Sequence, residues 1–159
     1  MQNTVNRPNG KYIHPDGTEV YYLDGNLHRD KKPAIIRTNG DVFWYQNGLL
    51  HREDGPAIIY ANGDQFWYRN GEEHREGAPA VMYHDGSELW FLNGVLHRED
   101  GPSIWYPDGT QFWYSHGLLH RTDGPAARLC TGETRWYLDG CEVDEKDLED
   151  PVQNPRDSV

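Results

Sequence analysis

The sequence predicts an all-β fold: an elongated single-layer antiparallel sheet of stacked β-hairpins, about six units of 23 residues each. Three observations predict it. A bulky ring recurs every 23 residues as Tyr21, Trp44, Trp67, Trp90, Trp113 and Trp136. Two glycine turns recur in each unit with the same period. No stretch sustains a helical spacing of apolar residues. Self-similarity at a fixed period of this length marks a repeat architecture.

The units run 12–34, 35–57, 58–80, 81–103, 104–126 and 127–149, without insertion or deletion. Residues 1–11 form an N-terminal lead-in, and 150–159 an acidic tail expected to be disordered. The first turn is Asp16-Gly17, Asn39-Gly40, Asn62-Gly63, Asp85-Gly86, Asp108-Gly109 and Thr131-Gly132. Asn-Gly and Asp-Gly accept positive φ at both central positions, which predicts a two-residue hairpin loop. Short β-rich runs flank it, such as Ile58-Ile59-Tyr60 and Gln65-Phe66-Trp67. The second turn is Asp24-Gly25, Asn47-Gly48, Asn70-Gly71, Asn93-Gly94, His116-Gly117 and Asp139-Gly140. After it comes a segment such as Leu49-Leu50-His51-Arg52-Glu53, a third short strand or an extended link. Asp54-Gly55-Pro56 and its equivalents then lead into the next unit; proline is tolerated at the start of a strand. The last unit is degenerate. Val143-Asp144 stands where the others carry His-Arg, which reads as a solenoid cap. A helical turn is expected within 144–149, before Pro151.

The aromatic columns predict the core. Neighbouring strand residues point to opposite faces, so the Trp column and the Tyr45, Tyr68, Phe91, Tyr114 column should line opposite sides. With 36% hydrophobic residues but 6 Trp, 10 Tyr and 4 Phe, the apolar content is low and bulky, enough for a thin core.

The formal charge is −11, and full protonation of the 8 histidines would bring it to −3. Such a surface repels phosphate backbones and acidic lipid, so neither nucleic acid nor membrane is an expected partner. No run of apolar residues is long enough for a membrane helix, and Met1–Val5 shows no basic segment leading into one. A cytoplasmic protein is expected. Cys130 and Cys141 both lie in the last unit and read as reduced thiols; a local bridge is the alternative.

The unit Trp44-Tyr45-Gln46-Asn47-Gly48-Leu49-Leu50-His51-Arg52-Glu53-Asp54-Gly55-Pro56-Ala57 recurs from Trp90 to Ser103 and from Trp113 to Ala126. It resembles a MORN-type repeat, in a divergent form similar to repeats carried by bacteriophages and large DNA viruses. The resemblance covers residues 12 to about 140. It implies β-hairpin units and a viral setting, and it brings no catalytic residues.

The candidate binding residues are the His-Arg column: Arg29, Arg52, Arg75, Arg98 and Arg121, with His51, His74, His97 and His120. A metal reading fails on distance. Zinc ligands lie within about 4 Å of one another, whereas equivalent residues two strands apart are about 10 Å apart. Catalysis needs a position that differs from its neighbours, and every candidate here is repeated; no enzyme, metal or cofactor is expected. Two uses of the column remain. The imidazole can donate to a turn carbonyl while Arg pairs with nearby acids, tying each linker to the next hairpin. Alternatively, the Arg row alternating with Glu and Asp forms a recognition surface. The expected function is a non-catalytic protein-binding module, whose partner has a basic surface and which, if viral, inhibits a host factor. Sequestration of an anionic ligand such as a nucleotide is one alternative. A scaffold that self-assembles into homo-oligomers through its end strands is another.

Overall fold

In the computed structural model the described residues are 9–148; the expected tail at 150–159 and most of the lead-in lie outside them. The chain is all-β, apart from a 3-10 turn at Glu145–Asp147 where the helical turn was expected. One open antiparallel sheet of fourteen strands runs from Gly10–Ile13 to Cys141–Val143, taking two strands from each unit in sequence order, with Cys141–Val143 added at the end and Asn26–Leu27 paired beside Glu19–Leu23. Ile58–Ile59, for example, pairs with Val42–Phe43 on one side and Gln65–Phe66 on the other.

Each unit leaves this ladder at its aromatic. The Trp44 N–H donates to Ala57 O at 2.7 Å, and Trp44 O accepts from the His51 N–H at 3.1 Å. Beyond the ring, Tyr45–Gln46 turns back onto Leu49–Leu50 as a small hairpin. These hairpins are themselves stitched together. The Arg29 N–H donates to Tyr45 O at 3.2 Å and the Gly48 N–H to Leu27 O at 2.8 Å. The same two bonds recur at every junction, ending with Arg121 to Tyr137 O at 3.1 Å and Gly140 to Leu119 O at 2.8 Å. A second ladder therefore runs beside the first, and the aromatic sits at the line where they part.

Small residues fill that line. Ala34, Ala57, Ala80, Ser103 and Ala126 are wholly buried. Ser103 is accommodated because its Oγ donates to Tyr114 O at 2.9 Å and accepts from the Tyr114 N–H at 2.8 Å. Phe43, Ile58, Val81 and Ile104 are buried on the main sheet. Phe43, Tyr60, Phe66 and Tyr83 interlock edge to face with centroids 5.8, 5.6 and 5.7 Å apart, a favoured aromatic geometry.

The two glycine turns differ in kind. Only the second matches the two-residue loop read from the sequence: Asn47 and Gly48 have φ of 51° and 82°. The first is a three-residue loop. Arg37 N–H bonds Asp41 O at 2.9 Å, Gly40 N–H bonds Arg37 O at 3.1 Å, and of the Asn39-Gly40 pair only Gly40 has positive φ, 96°. Asn39 acts there through its side chain, whose Oδ1 accepts from the Asp41 N–H at 3.1 Å. This explains why Thr131 can stand at the equivalent place: its Oγ1 accepts from the Glu133 N–H at 3.4 Å.

A further stitch joins successive first turns. Asp41 Oδ1 accepts from the Ala61 N–H at 2.9 Å, Asp64 Oδ1 from His84 at 2.7 Å, and Thr110 Oγ1 from Cys130 at 3.1 Å. The fourth member of this column is Ser87, and the residue 20 positions on is Pro107, which has no N–H to offer. Cys130 and Cys141 are both free and exposed.

Candidate functional site

The fold gathers the predicted His-Arg residues into one column along the linkers. Each arginine lies over the ring of its own unit. The Cζ–centroid distances are 3.6 Å for Arg29 on Tyr21, 4.1 Å for Arg52 on Trp44 and 3.9 Å for Arg75 on Trp67. They are 3.7 Å for Arg98 on Trp90 and 4.2 Å for Arg121 on Trp113. From that position Nη1 donates to the carbonyl of the proline four residues on, at 3.1 to 3.4 Å (Pro33, Pro56, Pro79, Pro102, Pro125). Nε of Arg52, Arg98 and Arg121 donates to Asp54, Asp100 and Asp123 at 2.7 to 2.8 Å. These arginines hold the three carboxyls below the ordinary range. Arg75 has no such acid, and burial lowers its pKa.

The stacked guanidinium explains the glycine of Asp-Gly-Pro. Gly55, Gly101 and Gly124 do not have positive φ, yet a Cβ there would lie 2.9, 2.9 and 3.0 Å from the arginine Cζ. Where that glycine is absent the linker changes course one residue earlier. Lys32 and Ala78 occupy the glycine position in the first and third units, and the residues before them, Lys31 and Gly77, take φ of 55° and 71°. The breaks at 30–33 and 76–79 are one correlated change made twice.

The histidines tie each linker to the next unit, with the opposite polarity from the sequence expectation. Nδ1 of His28, His51, His74, His97 and His120 accepts from the backbone N–H of Asn47, Asn70, Asn93, His116 and Asp139, at 3.1 to 3.2 Å. The first residue of a two-residue loop points its N–H out of the hairpin toward the ring, and in three units its side-chain Oδ1 also lies close to Nδ1, at 3.2 Å for His28, 3.0 Å for His51 and 2.8 Å for His120. Nε2 faces an acid of the same linker, with Asp30 3.2 Å from His28 and Glu76 3.4 Å from His74.

What remains exposed is acidic. Side-chain exposure is 22%, 21% and 17% for Arg52, Arg98 and Arg121, against 85%, 78% and 81% for Asp54, Asp100 and Asp123. Glu53, Glu76 and Glu99 are exposed by 88%, 73% and 89%. Successive linkers enclose open clefts, each with a Trp at its base. They hold about 580 Å³ between Arg29 and Asp54, 750 Å³ between Arg52 and Glu76, and 610 Å³ between His97 and Asp123. The recognition surface expected from the sequence was the arginine row alternating with Glu and Asp; of these two partners the acids are by far the more exposed. Among the described residues no group of three His, Cys, Asp or Glu side chains is arranged to hold a metal ion. None of the described helices is long and apolar enough to cross a membrane.

The sequence matches no family model. No curated protein matches it significantly.

Proposed function

We propose that the chain is a non-catalytic binding module that presents the acidic edge of its linkers to a protein with a basic surface. The observation that carries this reading is the division of labour within the column: the arginines are taken up by rings and carbonyls, and the carboxylates are left facing solvent. The net charge of −11 acts in the same direction at long range. Resemblance to the MORN-type repeats of phages and large DNA viruses suggests the setting, with a host factor as the partner and its inhibition as the outcome. A nucleotide fits this edge less well, since its phosphates would meet carboxylates before reaching a free guanidinium.

Titration with a lysine- and arginine-rich peptide at several salt concentrations tests the reading. Binding should weaken about tenfold as the Debye length falls from ~10 Å to ~5 Å. The combined Glu53→Gln and Glu99→Gln variant should lose affinity without changing its melting temperature. Equal binding by this variant and the parent would remove the acidic edge as the site.

A further inference from the structure

The sixth unit keeps the ring of the column and lacks its arginine. Five units cover the ring in the same way, with a guanidinium 3.6 to 4.2 Å from the centroid. In the last, Val143-Asp144 replaces His-Arg while Trp136 is retained. Among the described residues no cation lies over Trp136. The ring instead borders a cleft of about 480 Å³ that Glu142, Asp144 and Glu145 also line. The two cations of the lining leave the ring face open, Lys146 standing at the cleft's own acidic side. Arg135 pairs with Glu133 at 2.7 Å, and Lys146, exposed by 80%, reaches Asp144 at 3.5 Å.

We propose that this cleft binds an arginine side chain of a partner protein, stacked on Trp136 with its N–H groups turned to Asp144 and Glu145. The protein supplies the precedent itself, having solved the same contact five times with a guanidinium. A ring face attracts a cation through its quadrupole, and the planar guanidinium adds stacking and a fork of donors that an ammonium lacks. The three carboxylates outnumber the two lining cations and favour a positive occupant. This site is separate from the linker edge, and stands or falls on its own residues.

The test follows the indole N–H resonance of Trp136, assigned by its loss in Trp136→Phe, as the full chain is titrated with a capped Gly-Arg-Gly peptide. A saturating shift at about 1–10 mM is expected. The lysine counterpart should bind several-fold more weakly, and the neutral citrulline counterpart should leave the resonance in place. Restoring the repeat with Val143→His and Asp144→Arg should fill the ring face from within and abolish the shift, leaving the other indole resonances unmoved. Arg156→Ala should not move Trp136 in the free protein; movement would put the chain's own arginine in the cleft and overturn the proposal. So would a response to citrulline equal to that to arginine, or no shift of Trp136 up to about 10 mM peptide.

Discussion

Replacing Arg98 by methionine separates a structural arginine column from a ligand-binding one. Methionine keeps most of the apolar stem and removes the guanidinium. Three contacts go with it: the stack on Trp90 at 3.7 Å, the bond to Pro102 O at 3.3 Å and the pair with Asp100 at 2.7 Å. The partly desolvated stack contributes about 1 kcal/mol. The bond to the proline carbonyl contributes about 1 kcal/mol more, since a charged donor is lost and the carbonyl stays half-covered. Asp100 is exposed and returns to water at little cost. The expected loss is therefore about 2 kcal/mol, read as a lower urea midpoint with unchanged slope. Arg98→Lys should fall between parent and methionine, because lysine restores the charge and not the planar stack. The assay is urea unfolding followed by tryptophan fluorescence. A loss below about 0.5 kcal/mol, the range of an ordinary surface substitution, would refute the structural reading.

Gly101→Ala should destabilise by about 1–2 kcal/mol through its clash with Arg98, and Asp100→Gly added to it should recover part of that loss by allowing the linker course seen at Gly77; thermal melts of the three variants decide. Gly71→Ala forces a side chain to φ of 89° and should cost about 1–2 kcal/mol at the second turn, whereas Asn70→Gly should be nearly neutral. Acid should destabilise the fold. Backbone N–H groups of Ala61 and His84 hold Asp41 and Asp64, and those of Thr18, Ser87 and Thr110 hold Asp16, Asp85 and Asp108, below the ordinary value of 3.8. A carboxyl depressed on folding adds stability that is complete above its unfolded value and is lost as pH falls through its folded one. Urea midpoints should hold steady down to about pH 5 and drop below about pH 4; a flat profile to about pH 2.5 would contradict this.

The period and the hairpins were legible because each rests on one residue type recurring in register. The core was not: the aromatic columns expected to form it are only half-buried, and the buried positions are Ala34, Ala57, Ala80 and Ala126 with Phe43, Ile58, Val81 and Ile104, because the rings sit where the two ladders part. The Trp column, the Gly turns and the terminal helical turn all appear where the spacing puts them. The first turn was misread because Asn-Gly and Asp-Gly suit two different loops, and the choice depends on whether Asn39 uses its backbone or its side chain. The sense of the histidine bond was hidden for a related reason. An imidazole can give or take a proton, and only the outward N–H at Asn47, Asn70 and Asn93 decides which. The glycine of Asp-Gly-Pro looked like turn chemistry, but its role is to leave room for a guanidinium, a contact no local pattern encodes. The ring of Trp136 lacks its arginine through the exchange of His-Arg for Val143-Asp144, a change that capping also accounts for.

These contacts change where function is sought in a repeat of this kind. A row of His and Arg invites a binding role because both side chains carry several hydrogen-bonding groups. Here most of their polar groups are engaged within the fold: ring, proline carbonyl and acid for Arg98, and the turn N–H for His74. Hairpins with so few fully buried large side chains cannot hold register by apolar burial alone, and polar stitches of 19 and 20 residues' reach supply the difference. Once the arginines and histidines are assigned to holding the units together, the proposed recognition falls to groups the stitching leaves over. The internal units leave their outward acids. The sixth unit leaves an aromatic face that the five before it each cover with their own arginine. A partner carrying arginines along an extended segment would meet both, the acids by charge and Trp136 by shape.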